Sequence, residues 1–198
     1  YELAARMQVE ATDALDLSQE SEKTKEMYGL NDEQTRSYGT RCLMARRLVE
    51  RGVRFVQLFI EYQIWGAHSK LQENLDYSCG KTDKPVAALL TDLKQRGLLD
   101  KTLVLWGGEF GRMPVSQESG TTAAGRDHGP MGFSIWMAGG GFKRGYTHGS
   151  TDEIGYHAAE DRVSVHDLHA TLLHQLGMNA RQLTYERHGL DERLTDQY

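Results

Sequence analysis

The chain has 198 residues, which suits a single domain against a prior of about 150 residues per domain. Hydrophobic residues make up 39% and charged residues 26%, excluding disordered, collagenous and coiled-coil classes. No apolar run approaches the roughly 18 residues of a transmembrane helix, and a net charge of −5 disfavours nucleic acid and anionic membranes as partners.

Residues 1–30 read as a helical lead-in. Across 2–17, Leu3, Ala4, Met7, Ala11, Ala14 and Leu15 recur at helical spacing with charges between them. The polar stretch 18–30 reads as a short helix or a loop. Asn31 is the expected N-cap of the next helix, with acidic Asp32 and Glu33 in its first turn. That helix extends to about Glu50, turns Tyr38, Cys42, Leu43, Ala45, Leu48 and Val49 inward, and stops at Gly52. Residues 53–60 (VRFVQLFI) form a nearly continuous apolar run, the pattern of a buried parallel strand. A loop over 61–67 leads into a helix over 68–78. Asp83-Lys84-Pro85 opens another helix, with Pro in its first turn, that ends at Gly97.

Residues 102–106 (TLVLW) read as a second buried strand. A glycine-rich loop over 107–131 follows, of a length usually kept for function. Residues 133–138 (FSIWMA) read as a third strand, ended by three glycines at 139–141. A loop over 142–160 precedes a helix over 165–176, with Leu168, Leu172, Leu173 and Leu176 on one face and Gly177 closing it. The tail from Asn179 is polar and irregular. This order predicts an α/β fold, a three-layer sandwich with a mainly parallel sheet, spanning 1–198 as one domain. In such a fold ligands gather at the carboxyl ends of the strands.

Thirteen of the 21 glycines lie between Gly107 and Gly155, and seven of the eight histidines between His128 and His188. Cys42 and Cys79 are too few for a Cys-rich metal site or a disulfide scaffold and read as free thiols. His68, in WGAH after the first strand, can offer a neutral imidazole to a metal, or can cap a helix or face solvent. Glu109, framed by glycines in GGEFGR, can approach a ligand closely, and Arg112 can bind an oxyanion or simply pair with Glu109. Asp127 and His128, in GRDHG, supply an oxygen and a nitrogen ligand, or one ligand and its supporting hydrogen bond; the bland alternative is an ordinary turn. His148 reads as a surface loop residue, and His157 and His188 as solvated. His166 and His169 are spaced i, i+3 but lack an HExxH arrangement, so they read as ordinary helix positions. No GxGxxG, P-loop or GxSxG motif occurs.

Several segments together resemble the DUF1501 family, bacterial proteins that are often exported. They are LLDKTLVLWGGEFGR, GRDH, MAGGGFKRG, TDE and DLHAT, and the match runs in order from about residue 30 to the end. That family is placed in the alkaline phosphatase-like superfamily of phosphatases, sulfatases and phosphomutases. The resemblance implies metal-ligand roles for Glu109 and His128, and for His68 in a segment similar to Trp-Asp-x-His. It departs from the pattern twice: Gly66 stands where the family has Asp, and Phe110 where a metal-binding member has His or Asn. The superfamily nucleophile sits on the first strand of that fold, so the chain resembles the C-terminal half. A periplasmic or secreted location follows from the same resemblance.

Two functions from different classes follow. The first is a metal-dependent hydrolase of sulfate or phosphate esters, small-molecule or polysaccharide. His68, Glu109, Asp127 and His128 hold a divalent ion (Zn, Mg, Mn or Ca) and Arg112 and Arg126 stabilise oxyanion charge. No turnover is expected from these 198 residues alone. The second is a non-catalytic relative that binds a sulfated polysaccharide or a protein, as the Gly66 and Phe110 departures suggest.

Overall fold

The computed structural model describes residues 12–116 and 123–195, so most of the helical spacing expected over 2–17 lies outside the described residues. Residues 12–15 are helical and lead to a 3₁₀ turn, Leu17–Gln19, where the Asp16 carboxylate accepts from the Ser18 N–H. Helix α1 (Glu22–Met27) is capped by Ser21, whose hydroxyl accepts the Thr24 N–H at 3.1 Å. Helix α2 (Glu33–Glu50) starts one residue later than expected: its N-cap is Asp32, accepting from the Gln34 N–H at 2.9 Å, and not Asn31.

Helix α3 (Leu71–Gln95) replaces the two helices expected over 68–78 and 85–97. Pro85 sits inside it, buried, where an interior proline costs about 3 kcal/mol. Packing offsets that cost. Ala88, Leu89 and Leu93 of α3 lock against Tyr38, Cys42 and Leu43 of α2, with Tyr28 completing the cluster. Gly80 faces Gln34 of α2, where a Cβ would lie 2.2 Å from the end of that side chain. What reads locally as a helix break is a packing notch.

A charged seam runs through the same interface. Arg46, 1% exposed, meets Glu20 at 2.7 Å, Glu50 at 2.7 Å and Asp92 at 2.8 Å. The contacts to Glu20 and Asp92 are ion pairs by distance but poorly aligned as hydrogen bonds. Tyr28 donates its hydroxyl to Asp92 at 3.0 Å, and Arg47 reaches Glu20 and the Ala14 carbonyl. Burial first, then the neighbouring Asp92 charge, pushes the Tyr28 phenol far above its ordinary range.

The expected three-layer sandwich with a mainly parallel sheet is not what forms. Strand β1 (Leu103–Trp106) pairs antiparallel with β4 (Trp136–Gly139). Between them, β2 (Gly111–Arg112) and β3 (His128–Gly129) make a two-residue antiparallel ribbon. Parallel neighbours need a crossover of a dozen or more residues, usually a helix. The described residues between β1 and β4 contain no helix, and the chain returns beside β1 in the opposite direction. The ladder is shorter than the predicted third strand because residues 133–135 stay outside it. Gly139 ends it at φ +74, with the Leu99 and Thr102 carbonyls too close for any Cβ.

The apolar run 53–60 joins no ladder among the described residues. Leu58 and Ile60 pack on the core while Phe55 and Phe59 are exposed, and the Phe59 carbonyl accepts from Arg41 at 2.6 Å. Beyond β4, β5 (Ser150–Thr151) pairs with β6 (Ala158–Glu160) inside the loop expected over 142–160. Helix α4 (Val165–Gln175) falls where its leucine stripe predicts, opened by a capping box between Ser164 and Asp167. The tail also holds a hairpin, β7 (Tyr185–Arg187) with β8 (Leu190–Glu192). Its two-residue turn, His188-Gly189, has positive φ at both positions, as right-twisted strands require. No helix among the described residues is long and apolar enough to cross a membrane.

Candidate functional site

Three predicted ligands come together. One donor atom from each of His68, Asp127 and His128 lies within 4.8 Å of the others. The two imidazoles approach through their Nε2 atoms, 3.0 Å apart, with ring centroids at 4.7 Å. His68 Nδ1 faces Asp127 Oδ1 at 3.8 Å, too far for a hydrogen bond, and is buried with no hydrogen-bond partner. Asp127 Oδ1 also accepts the His128 backbone N–H at 2.7 Å, which folds the carboxylate back over its neighbour.

The local fold makes this meeting possible. Gly125 lies against the 67–68 backbone, and a Cβ on it would stand 2.0 Å from the His68 carbonyl carbon. The Arg126 N–H donates to the Ala67 carbonyl at 2.8 Å, the Lys70 N–H to the Ala123 carbonyl at 2.7 Å, and Ser69 bridges Ala124. His68 precedes α3, and His128 opens β3. A glycine-only contact therefore welds the two segments that carry the imidazoles.

Glu109 contributes no atom to this cluster and its side chain is exposed. Its neighbour Phe110 does reach the cluster, packing its ring against His128 at a 38° tilt with 4.3 Å between centroids. An apolar ring thus stands against His128 where another donor would be useful to a cation. At Gly66 a Cβ would come within 3.9 Å of Arg112 Nη2.

The two predicted oxyanion-binding arginines are held mainly by the backbone. Arg112 donates to the Arg126 carbonyl at 3.3 Å and the Trp65 carbonyl at 3.1 Å. Arg126 donates in return to the Arg112 carbonyl at 3.3 Å and to Met113 at 2.8 Å. Each side chain clamps the other's main chain across the β2–β3 ribbon. Arg112 Nη1 also stands 3.5 Å from His68 Nε2, so positive charge borders the cluster. Among the described residues Arg126 makes no such approach.

The remaining histidines lie elsewhere. His166 and His169 both turn Nδ1 toward the Leu194 carbonyl, at 3.4 and 3.2 Å. His157 pairs with Asp152 at 3.4 Å, and His148 packs beside Tyr146. A cavity of about 810 Å³ beyond the end of α4, lined by His174, Arg181 and Arg193 among others, contains none of the predicted site residues.

One group went unmarked in the sequence: all three tryptophans of the chain converge. Trp106 and Trp136 are cross-strand partners of β1 and β4, with planes 3° apart and centroids at 6.1 Å. Trp65 meets Trp106 edge-on at 6.0 Å. Trp106 and Trp136 fall on segments read as strands, but the antiparallel pairing that joins them had no local signal.

The architecture is thus a helical core carrying short antiparallel ribbons, with a His/Asp/His cluster where the ribbon meets α3. A model of the family described as "Protein of unknown function (DUF1501)" matches residues 1–198, and the chain belongs to that family. No curated protein and no solved structure matches it.

Proposed function

We propose that the protein holds a divalent cation with His68, Asp127 and His128 and acts there on phosphate or sulfate esters. The observation that carries this reading is the 3.0 Å approach of the two Nε2 atoms beside a carboxylate. Metal–nitrogen bonds of about 2.0–2.1 Å place neighbouring imidazole ligands about 3 Å apart. The buried, unpartnered Nδ1 of His68 fits as well. Two imidazoles with one carboxylate favour Zn or Mn over Mg or Ca.

The bound cation supplies positive charge that polarises an ester's non-bridging oxygen. The protein's own part is positional. The Arg112 and Arg126 clamps set the ribbon, and Arg112 brings charge to the edge where an anionic ester would sit.

A second reading is a relative that holds the cation without turnover. Phe110 against His128 and the missing side chain at Gly66 favour it, because both leave the cluster with few donors.

Calorimetric titration with Zn²⁺, together with p-nitrophenyl phosphate and sulfate as substrates, tests both. Zn²⁺ should bind, and His68→Ala and His128→Ala should each weaken it at least tenfold, while Glu109→Ala leaves it unchanged. Nitrophenol release from either ester, by this chain or with the strand bearing the family's nucleophile supplied, selects the hydrolase, and binding without release in both forms selects the second reading. Unchanged affinity in both histidine variants sinks the two together.

A further inference from the structure

Between the face of the β1–β4 ladder and α3 lies a cleft of about 380 Å³, within the range of small-ligand pockets. One wall is the three indoles. The other is a single face of α3, with Asp83, Val86 and Leu90 at helical spacing. Trp65 and Trp136 are exposed although both are large and apolar. The cleft lies outside the His68–Asp127–His128 cluster but adjoins it, because Arg112 touches both the Trp65 carbonyl and His68.

We propose that this cleft binds a quaternary ammonium group. The charge pattern selects the ligand. Indole faces carry negative potential and attract a cation within about 6 Å of the ring centre, most strongly where it is poorly hydrated. Trp106 has a second indole edge-on with its centre 6.0 Å away and a third in a parallel plane at 6.1 Å, so three ring systems border the one cleft. The carboxylate of Asp83 stands on the opposite wall and makes no ion pair among the described residues. No lysine or arginine lines the cleft. Val86 and Leu90 give methyl groups an apolar surface, which a methylated ammonium uses and a hydrated metal ion does not. A neutral sugar would ask for more hydrogen-bonding side chains. Thr82, the other polar residue in the lining, already donates its hydroxyl to the Ser78 carbonyl at 2.9 Å.

The experiment is a tryptophan fluorescence titration of the protein with tetramethylammonium chloride in the presence of EDTA, with sodium chloride at matched ionic strength. EDTA makes the outcome independent of the cation reading of the histidine cluster. Tetramethylammonium should change the emission saturably, and sodium should not. Asp83→Asn, a change at an exposed helix position, should weaken binding at least fivefold without altering the circular dichroism. Trp136→Leu should weaken it at least tenfold. A response no larger than that of sodium chloride overturns the proposal, as does an unchanged affinity in Asp83→Asn. Saturable binding of methyl glucoside in place of tetramethylammonium also overturns it and assigns the cleft to a neutral ring.

Discussion

At the residue scale, His68 shows how one unpartnered atom gives direction to a site. If His68 Nε2 carried the proton of the imidazole pair, its bare Nδ1 would face the Asp127 carboxylate, lone pair against negative charge. With the proton on Nδ1, the N–H points at Asp127 and Nε2 turns a lone pair toward His128. The second tautomer is the one that can accept a cation. The thiols behave differently from each other for an equally local reason. Burial pushes the Cys42 thiol up to about 12, while Cys79 is only half-buried, its thiol raised by burial and then by Asp83 and Asp76. Thiolate is the reactive form. In the native protein at pH 8, a thiol reagent should therefore label Cys79 slowly and leave Cys42 untouched. Both should label in urea, and mass spectrometry of the two peptides reads the difference.

At the element scale, the ribbon β2–β3 matters more than its two-residue length suggests. It carries His128 and is held by the reciprocal arginine clamps and by the contact of Gly125 with the 67–68 backbone. Gly125→Ala removes no donor, yet its Cβ must push the segment carrying Asp127 and His128 away from His68. Zn²⁺ affinity should fall about 10–100-fold, the range seen when groups supporting metal ligands are lost. Calorimetry checks this, and unchanged affinity would mean that the two segments are held together by other contacts. Elements misread from the sequence share a cause. Residues 53–60 have a strand's composition, but a strand exists only with a partner, and the described chain offers none. Helix α3 passes through Gly80 and Pro85 because its buried face against α2 outweighs local propensity.

At the scale of the whole molecule, the buried charged seam ties the N-terminal residues to α2 and α3. Burial alone would raise the Glu20 carboxyl, but the Arg47 hydrogen bond and the adjoining Arg46 charge outweigh it and hold the group below its ordinary 4.5. A carboxyl depressed in the folded state contributes stability above its unfolded pKa and loses it as pH falls through the folded value. Asp16, Asp152 and Asp167 are lowered by hydrogen bonds of their own and act with the same sign. Urea midpoints should therefore be level above about pH 5 and fall progressively below 4.5. Glu20→Gln should be less stable at pH 7 and show a shallower acid decline; an equally steep decline would clear Glu20 of the effect. Much of this molecule was legible beforehand. The sequence by itself determined α2, α4, the strand at 103–106 and the loop setting of Asp127, because periodicity, caps and glycine placement act over a few residues. The tertiary structure alone decided the antiparallel pairing, the burial of Arg46, the exclusion of Glu109 from the cluster and the meeting of three tryptophans. Each of those depends on contacts between segments far apart in the chain, where the free energy of packing and charge pairing has no local signature.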